Sequence, residues 1–240
     1  MIKRMSVGLA APLLAGLLAA CAPAAPAPTA PAAAQPTAAK PAAPAEVAPA
    51  KYTLAADASE VRYRGRETVA GAAVMGDVVG RTKAVSGSIA FDKTGAVDAA
   101  QSKLVVELAT LKSEQKDPIN GRSADDIGRL RDNFVRDRLL HADKFPNGEF
   151  VPTKAVGLDV PFPTSGKKDF QLQGNLTANG VTKPVTFDVS ATFSGNEVTG
   201  TAKTRFNLGD FNIERPTLTL VLSIEEGMGV ELDFKFTKAG

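Results

Sequence analysis

Beyond residue 51 the chain alternates apolar and polar side chains in short segments, and glycine, asparagine, aspartate or proline separates one segment from the next. In one such segment Phe170, Leu172 and Leu176 face one way, while Gln171 and Gln173 face the other. Alternation with a period of two is typical of strands with one buried face and one face in water. The pattern predicts strands over residues 52–56, 60–67, 84–91, 103–111, 149–158, 170–178, 185–193, 198–206, 218–224 and 230–236.

One stretch of the chain has a different period. Within residues 123–141 the apolar side chains of Ile127, Leu130 and Phe134 recur at the spacing of a helical turn, and Asp125 would lie in the first turn, where the helix dipole favours an acidic residue. We therefore expect one helix here. About eight to ten strands with a single short helix predict an all-β barrel or sandwich, and the lack of alternating strands and helices excludes a doubly wound fold.

The first 21 residues have the pattern of a bacterial lipoprotein signal. A basic segment with Lys3 and Arg4 precedes an apolar run over residues 8–20, and Cys21 follows directly. The run is shorter than the roughly 20 residues that a membrane-spanning helix needs, and it is typical of an export signal. Residues 18–21 read Leu-Ala-Ala-Cys, like a lipobox. We expect removal of residues 1–20 and lipidation of Cys21 by acyl chains such as palmitate, which together anchor the protein firmly.

A linker is predicted between this signal and the strands. Of the 29 residues from 22 to 50, 23 are Ala or Pro. Frequent proline prevents both helical and ladder hydrogen bonds, so an extended and disordered spacer is expected. The predicted domains are therefore a signal peptide over 1–20, a linker over 21–50 that carries the lipidated Cys21, and a barrel domain over 51–240.

The charge balance limits the range of partners. The sequence has 28 Lys and Arg residues and 26 Asp and Glu residues, and removal of residues 1–20 would subtract Lys3 and Arg4 and leave a net charge of zero. This argues against nucleic acid, which requires a strongly basic face. It also provides no general attraction to anionic membrane surfaces. Cys21 is the only cysteine, so the chain contains no disulfide and the domain depends on its hydrophobic core.

The side chains that could carry catalysis are sparse. His141 is the only histidine, and the sequence places no nucleophile with an orienting partner, and no set of metal ligands, in a recognisable pattern around it. We therefore expect a protein without enzymatic activity, catalytic residues, a metal site or a cofactor. Arg62, Arg64 and Arg66 share one face of a predicted strand, which we interpret as a solvated outer face, with a docking surface for an acidic partner as the alternative.

A second arginine group flanks the predicted helix and comprises Arg131, Arg136 and Arg138. Arginine binds pyrophosphate through paired hydrogen bonds, so a role at a lipid head group is one reading of this group.

The interior of the predicted barrel could be either packed with side chains or hollow. An eight-stranded barrel is the size at which inward side chains either fill the interior or leave room for one ligand. The chain has no tryptophan, and Gly87, Gly174 and Gly200 fall on inward positions where a filled core would favour larger side chains. Residues 69–79 are apolar and small, and we read them as a lid or tunnel wall rather than as a clean strand.

A set of short motifs lies between the predicted elements in a fixed order. It comprises Gly80-Arg81 and residues 85–91, 131–134, 143–146, 179–184 and 210–213. Together these motifs resemble the YceI-like family of bacterial polyisoprenoid-binding and lipid-binding proteins over roughly residues 51–238. Phe134 departs from the usual relative, which has histidine there. The resemblance implies a lipocalin-like antiparallel barrel of about eight strands with one short inserted helix, and an elongated apolar cavity for an isoprenoid chain.

The inward apolar positions are the candidate ligand contacts. They are Val61, Tyr63, Val85, Ile89, Phe91, Leu104, Val106, Leu108, Phe134, Phe170, Leu172, Leu176, Val185, Phe187, Val189, Phe206 and Leu220.

Two functional hypotheses follow. The first is an exported lipoprotein that holds a long-chain isoprenoid or similar lipid for carriage, storage or stress protection. The second is a filled barrel that serves as an interaction module, and the resemblance suggests that it docks a membrane redox partner such as a b561-type cytochrome. Apart from a bound polyisoprenoid or isoprenoid quinone, which the resemblance implies, no cofactor is expected. A hydrolase is the least favoured reading. The expected location is the cell envelope, lipid-anchored at the periplasmic face of the outer membrane, or at the outer face of the plasma membrane in a single-membrane cell. The oligomeric state is left open, including a dimer.

Overall fold

A computed structural model describes residues 46–69, 76–119, 121–215 and 221–239. The predicted signal peptide, Cys21, most of the predicted linker and the candidate Leu220 lie outside the described residues. The elements are β1 (Ala50–Leu54), β2 (Glu60–Val69), β3 (Gly76–Thr82), β4 (Val85–Phe91), β5 (Lys103–Glu107), β6 (Lys112–Ser113), α1 (Ala124–Phe134), β7 (Asn147–Val156), β8 (Ser165–Ala178), β9 (Val181–Ser194), β10 (Glu197–Asn207), β11 (Val221–Ile224) and β12 (Gly227–Lys238).

Eight of the described strands close into an antiparallel barrel. Strands β4, β5, β7, β8, β9, β10 and β12 follow one another around the wall, and β1 lies between β4 and β12. Tyr52 of β1 stands opposite Ile89 on one side and Lys238 on the other, so β1 closes the ring. A closed barrel leaves no exposed sheet edge. The predicted all-β, lipocalin-like barrel with one short helix is confirmed.

The other strands extend the wall at one end. Strand β1 pairs with the last residues of β12, and β2 pairs with residues 229–233 of the same strand after the short turn Ala56–Ala58. Strand β3 pairs with β2, β6 pairs with β3, and β11 pairs with β2. The strands β1 and β2 therefore act as one bent strand along β12.

Two differences from the predicted strands have physical causes. Residues 76–79 of the predicted lid or tunnel wall belong to β3, because a continuous antiparallel register with β2 satisfies their backbone. Residues 70–75 of that prediction lie outside the described residues. The strand predicted over 103–111 ends at Glu107, and a single turn, Leu108–Thr110, follows it. Leu108 is buried there and its N–H donates to Pro146 O at 2.9 Å, so the chain turns towards the core.

The helix predicted over 123–141 is shorter in the structure. Ser123 caps α1, and its Oγ accepts a hydrogen bond from Asp126 N at 3.1 Å. After α1 the chain widens into a π turn, Val135–Leu139, in which Val135 and Leu139 are buried. The chain then reverses at His141, which has a positive φ of 45°. His141 is therefore a turn residue of the helix-to-strand connection.

The two ends of the barrel differ in what covers them. At one end β8 and β9 join through Asn179 and Gly180, and the turn Val135–Leu139 and residues 208–213 pack there into one buried apolar cluster. We call this the helix end. At the other end β9 and β10 join through residues 195 and 196, beside the loop of residues 157–164 that links β7 to β8. We call this the loop end.

Candidate ligand cavity

An apolar cavity of about 200 Å³ occupies the barrel interior. Almost all of the surface that lines it belongs to carbon atoms of aliphatic and aromatic side chains. The cause is the period of the strands, because every second side chain of a barrel strand points inward. A dry, carbon-lined cavity holds an apolar guest more readily than water.

Most of the predicted ligand contacts line this cavity. They are Val61, Tyr63, Val85, Ile89, Phe91, Leu104, Val106, Leu108, Phe170, Leu172, Leu176, Phe187, Val189 and Phe206. Phe134 and Val185 do not belong to the lining. Phe134 packs from α1 against the apolar cluster at the helix end, and the partly buried Val185 packs between that cluster and the barrel core. Leu220 lies outside the described residues.

The structure adds lining residues that the sequence reasoning left out of the site. The strand β12 contributes Leu232, Phe234 and Phe236, whose alternation was visible in the sequence. The turn Val135–Leu139 and the loop 157–164 also contribute side chains. Irregular segments have no period that marks an inward face, so the alternation offered no signal for the loop residues.

The polar residues along the wall place their charged groups on the outer face. Arg62 of β2 forms ion pairs with Glu60 (3.0 Å) and Asp233 (2.6 Å) outside the barrel. Burial works against the charged form of Arg62, but its hydrogen bonds to Asp233 and Glu60 raise its pKa overall. Glu149 of β7 likewise pairs with Lys103 at 3.3 Å. These pairs keep charge away from the cavity.

The acidic residues of β12 neutralise the arginines of β2. Glu231 pairs with Arg64 at 3.0 Å and with Lys203 at 3.5 Å. Burial alone would raise the pKa of the Glu231 carboxyl, but Arg64 and Lys203 together lower it below its usual value. The arginine face is therefore a network of mixed sign, which fits an outer face in water better than a docking surface for an acidic partner.

The two tyrosines of the wall are neutral phenols. Burial raises the pKa of Tyr63, whose Oη shares a hydrogen bond with Ser113 Oγ at 3.2 Å. Burial also raises the pKa of Tyr52. At neutral pH both side chains therefore present an uncharged ring to the cavity.

The inward Gly174 makes room for an aromatic ring. A Cβ on Gly174 would lie 2.6 Å from carbons of the Phe150 ring, so that ring already occupies the space above the glycine. The Phe150 ring in turn contacts the Phe187 ring, with 4.9 Å between centroids. Gly174 thus lets an aromatic side chain lie flat on the wall, whereas the sequence reasoning expected it to leave empty space.

Arg131 and Arg136, two of the arginines beside the helix, have protein partners. Arg131 forms an ion pair with Glu67 and donates to Gln115 Oε1 at 2.5 Å, and the side chains of Arg131 and Glu67 are only 14% and 12% exposed. Arg136 donates to Asn133 Oδ1 at 2.5 Å. Arg131 therefore fastens α1 to the wall, which does not favour the head-group role. In the described part of the chain, no group of three or more His, Cys, Asp and Glu side chains is placed to hold a metal ion.

Asn179 joins two loops at the helix end. Its Nδ2 donates to Phe211 O at 3.2 Å and to Asn212 O at 3.0 Å. Asn179 and Asn212 both have positive φ, a conformation that asparagine tolerates better than most residues. Gly180 next to it lies against the Phe145 ring, where a Cβ would lie 2.5 Å from a ring carbon. Three of the sequence motifs therefore meet here.

Comparison with known proteins identifies the family. Residues 52–236 match the YceI-like domain. This chain belongs to the YceI-like family. Among its relatives, a UPF0312 protein of Shewanella denitrificans is 31% identical over 144 residues, which cover 57% of this chain and 64% of the relative. A UPF0312 protein of Yersinia enterocolitica is 32% identical over 120 residues, or 45% and 58% of the two chains. The chain thus matches less than two thirds of the length of either relative.

Two solved structures share the fold of this YceI-like chain. A polyisoprenoid-binding domain from Saccharophagus degradans, implicated in plant cell wall breakdown, has a TM-score of 0.54 and 13% identity, and the match covers 78% of this chain and 98% of that one. BcnA from Burkholderia cenocepacia has a TM-score of 0.50 and 16% identity, with 76% and 98% coverage. At these identities the likeness concerns the fold. No helix among the described residues has the length and apolar character to cross a membrane.

Proposed function

We propose that this YceI-like protein binds a long-chain isoprenoid, or a lipid with a similar apolar tail, in the cavity of its barrel. The observation that carries the proposal is the carbon-lined cavity, whose neighbouring charges are paired on the outer face. The S. degradans domain, which shares the fold, is described as polyisoprenoid-binding, and this supports the same class of ligand here.

The chemistry of the wall suits a tail rather than a head group. Burying an apolar chain contributes about 0.8 kcal/mol for each CH₂ group, without polar complementarity along the chain. A charged head group inside the cavity would lose its hydration without gaining a partner. The head group, such as a quinone ring or a hydroxyl, therefore stays near a mouth of the barrel. In this proposal the activity of the protein is binding rather than catalysis.

We further propose that Cys21 is lipidated and holds the protein in the cell envelope, where it carries, stores or protects its lipid. The basis is the lipobox pattern of residues 18–21 and the proline-rich residues that follow. We expect Cys21→Ser to release the protein from membranes, and fractionation of cell envelopes measures this. Retention of the folded variant in the membrane fraction would contradict the anchor.

The interaction-module hypothesis gains less support. It predicts a filled barrel, and the described interior contains a cavity. Docking of a membrane redox protein stays a prediction, and a lipid-loaded barrel is compatible with it.

A substitution that fills the cavity with a larger side chain would test the binding function directly. Ala202 lies on β10, is buried and lines the cavity, so Ala202→Phe should occupy ligand space. Thr199 is exposed on the outer face of the same strand, and Thr199→Phe is the matched control. We expect Ala202→Phe to weaken binding of geranylgeraniol at least about tenfold, equivalent to roughly 1.4 kcal/mol, while the control binds normally.

The measurement is equilibrium titration of both variants, with circular dichroism as the check on folding. Unchanged binding by a folded Ala202→Phe variant would mean that the chain does not occupy this cavity.

A further inference from the structure

Three aromatic rings cover the loop end of the cavity, and one of them comes from a loop. Phe162, in the loop of residues 157–164, lines the cavity, and its ring centroid lies 4.7 Å from that of the buried Phe91. Phe91 also makes an edge contact with Tyr52, at 6.1 Å between centroids. The strands fix Phe91 and Tyr52, whereas only the loop fixes Phe162.

The loop is lightly held within the described structure. Gly195 N donates to Thr164 O at 2.8 Å, at the last residue of the loop. Lys168 pairs with Asp159 at 2.7 Å, but the Asp159 side chain is 66% exposed, and exposed ion pairs contribute little. Two of the eight loop residues are prolines, which have no N–H to donate. Movement of this loop therefore breaks few polar interactions, and the packing that it loses is that of Leu158 and Phe162 on the barrel core and of Val160 over Gly95.

The helix end is fastened more strongly. Arg131 and Glu67 form a largely buried ion pair, and Asp132 accepts a hydrogen bond from Ser113 N at 2.6 Å. Asn179 bonds two further carbonyl groups. Opening this end would separate these groups and expose the buried apolar cluster that includes Leu208 and Phe211, so it is costly.

The polypeptide from the predicted anchor also arrives at the loop end. Val47 N donates to Lys93 O at 2.8 Å, and Glu46 pairs with Lys93 at 2.9 Å. Ala50 stands opposite Phe91 in the pairing of β1 with β4. The described residues that precede β1 therefore lie beside Phe91.

The size of the cavity also points to a movable wall. Its volume of about 200 Å³ lies below the roughly 300–1,000 Å³ of typical ligand pockets. A long chain therefore needs side chains to move aside, and Phe162 is the lining aromatic residue that sits on the lightly held loop.

We propose that Phe162 is the gate of the cavity, and that an apolar chain enters and leaves at the loop end when the loop of residues 157–164 carries this ring away from Phe91. The proposal rests on the proposed function, since it concerns passage of the same ligand. Phe162 thereby controls the rate of uptake, in addition to forming part of the wall.

The test is stopped-flow fluorescence with geranylgeraniol that carries an anthraniloyl group. The full-length protein carries Cys21→Ser throughout, so that none of its own acyl chains competes. We expect Phe162→Ala to raise both the association and the dissociation rate constants about tenfold, and Phe162→Leu to raise them less. Val160 lies on the same loop outside the lining, and its side chain packs over Gly95. Val160→Ala therefore removes loop packing without changing the ring, and it should change both rates much less than Phe162→Ala. Arg131→Met, at the helix end, should leave both rates unchanged.

Each other outcome has a definite meaning. An unchanged association rate in Phe162→Ala, or a change in dissociation alone, would make Phe162 an ordinary wall residue and overturn the gate. Faster uptake by Arg131→Met but not by Phe162→Ala would place the entrance at the helix end. If the protein with native Phe162 bound no chain at equilibrium, the proposed function itself would be wrong, and the gate with it.

Discussion

The two ends of the barrel are closed by different means. At the helix end, Phe211 is fully buried, Asn179 bonds two carbonyl groups, and Arg131 pairs with Glu67 in a largely buried site. At the loop end, Phe162 contacts Phe91 from a loop with an exposed ion pair. Losing the buried Phe211 ring alone costs about 3–5 kcal/mol, whereas the contact between the Phe162 and Phe91 rings adds about 0.5–1.5 kcal/mol beyond burial. The difference assigns stability to one end and passage to the other.

Most residues that carry the family resemblance also differ from the residues that line the cavity. Several of the motifs that carry the family resemblance lie at the helix end, in residues 131–134, 143–146, 179–184 and 210–213. There they make turns and hydrogen bonds that close the barrel. The cavity wall consists of generic apolar side chains. Most of these motifs therefore report the architecture, although the motif of residues 85–91 also supplies Val85, Ile89 and Phe91 to the cavity wall. The other ligand contacts follow from strand alternation.

The largest expected effect on stability comes from removing a buried side chain at the helix end. We expect Phe211→Ala to lower the free energy of unfolding by about 3–5 kcal/mol, because it removes a fully buried ring and leaves a cavity in its place. The matched change at the loop end, Phe162→Ala, should cost only about 1–2 kcal/mol, since Phe162 is half-buried. Urea unfolding of both variants measures the difference, and equal losses would remove the distinction between the ends.

A smaller effect is expected from the loop junction at Asn179. Asn179→Ala should cost about 2–3 kcal/mol, because two carbonyl groups lose their donor and alanine resists the positive φ. Asn179→Gly keeps the backbone conformation and should cost about 1–2 kcal/mol. Thermal unfolding of the pair separates the two contributions. A neutral Asn179→Ala variant would show that these hydrogen bonds do not hold the helix end.

The sequence predicted the long regular strands well and the irregular segments poorly. Strands β8 and β9 alternate over their whole length, so the inward positions of Leu172 and Phe187 were visible. Strand β3 was missed because Val78, Val79 and Gly80 follow one another without alternation. Its assignment depends on pairing with the distant β2, which no local pattern contains.

The candidate site shows the same limit. The strand residues of the lining follow from alternation, but Phe162 and Leu158 line the cavity from a loop whose path no period describes. Phe134 was placed in the site by helical spacing, although the turn Val135–Leu139 that follows it supplies the lining instead. The change from α to π pitch after Phe134 has no signal in the spacing of the apolar residues.

The central claim is that an apolar chain occupies the barrel, and the most direct measurement is mass spectrometry of the bound lipid. The full-length protein carrying Cys21→Ser would be purified from bacteria without detergent, examined intact and then extracted with organic solvent. We expect a stoichiometric long-chain isoprenoid that leaves the protein on extraction. A folded protein with no bound lipid, which no added prenol or isoprenoid quinone saturates, would contradict the account.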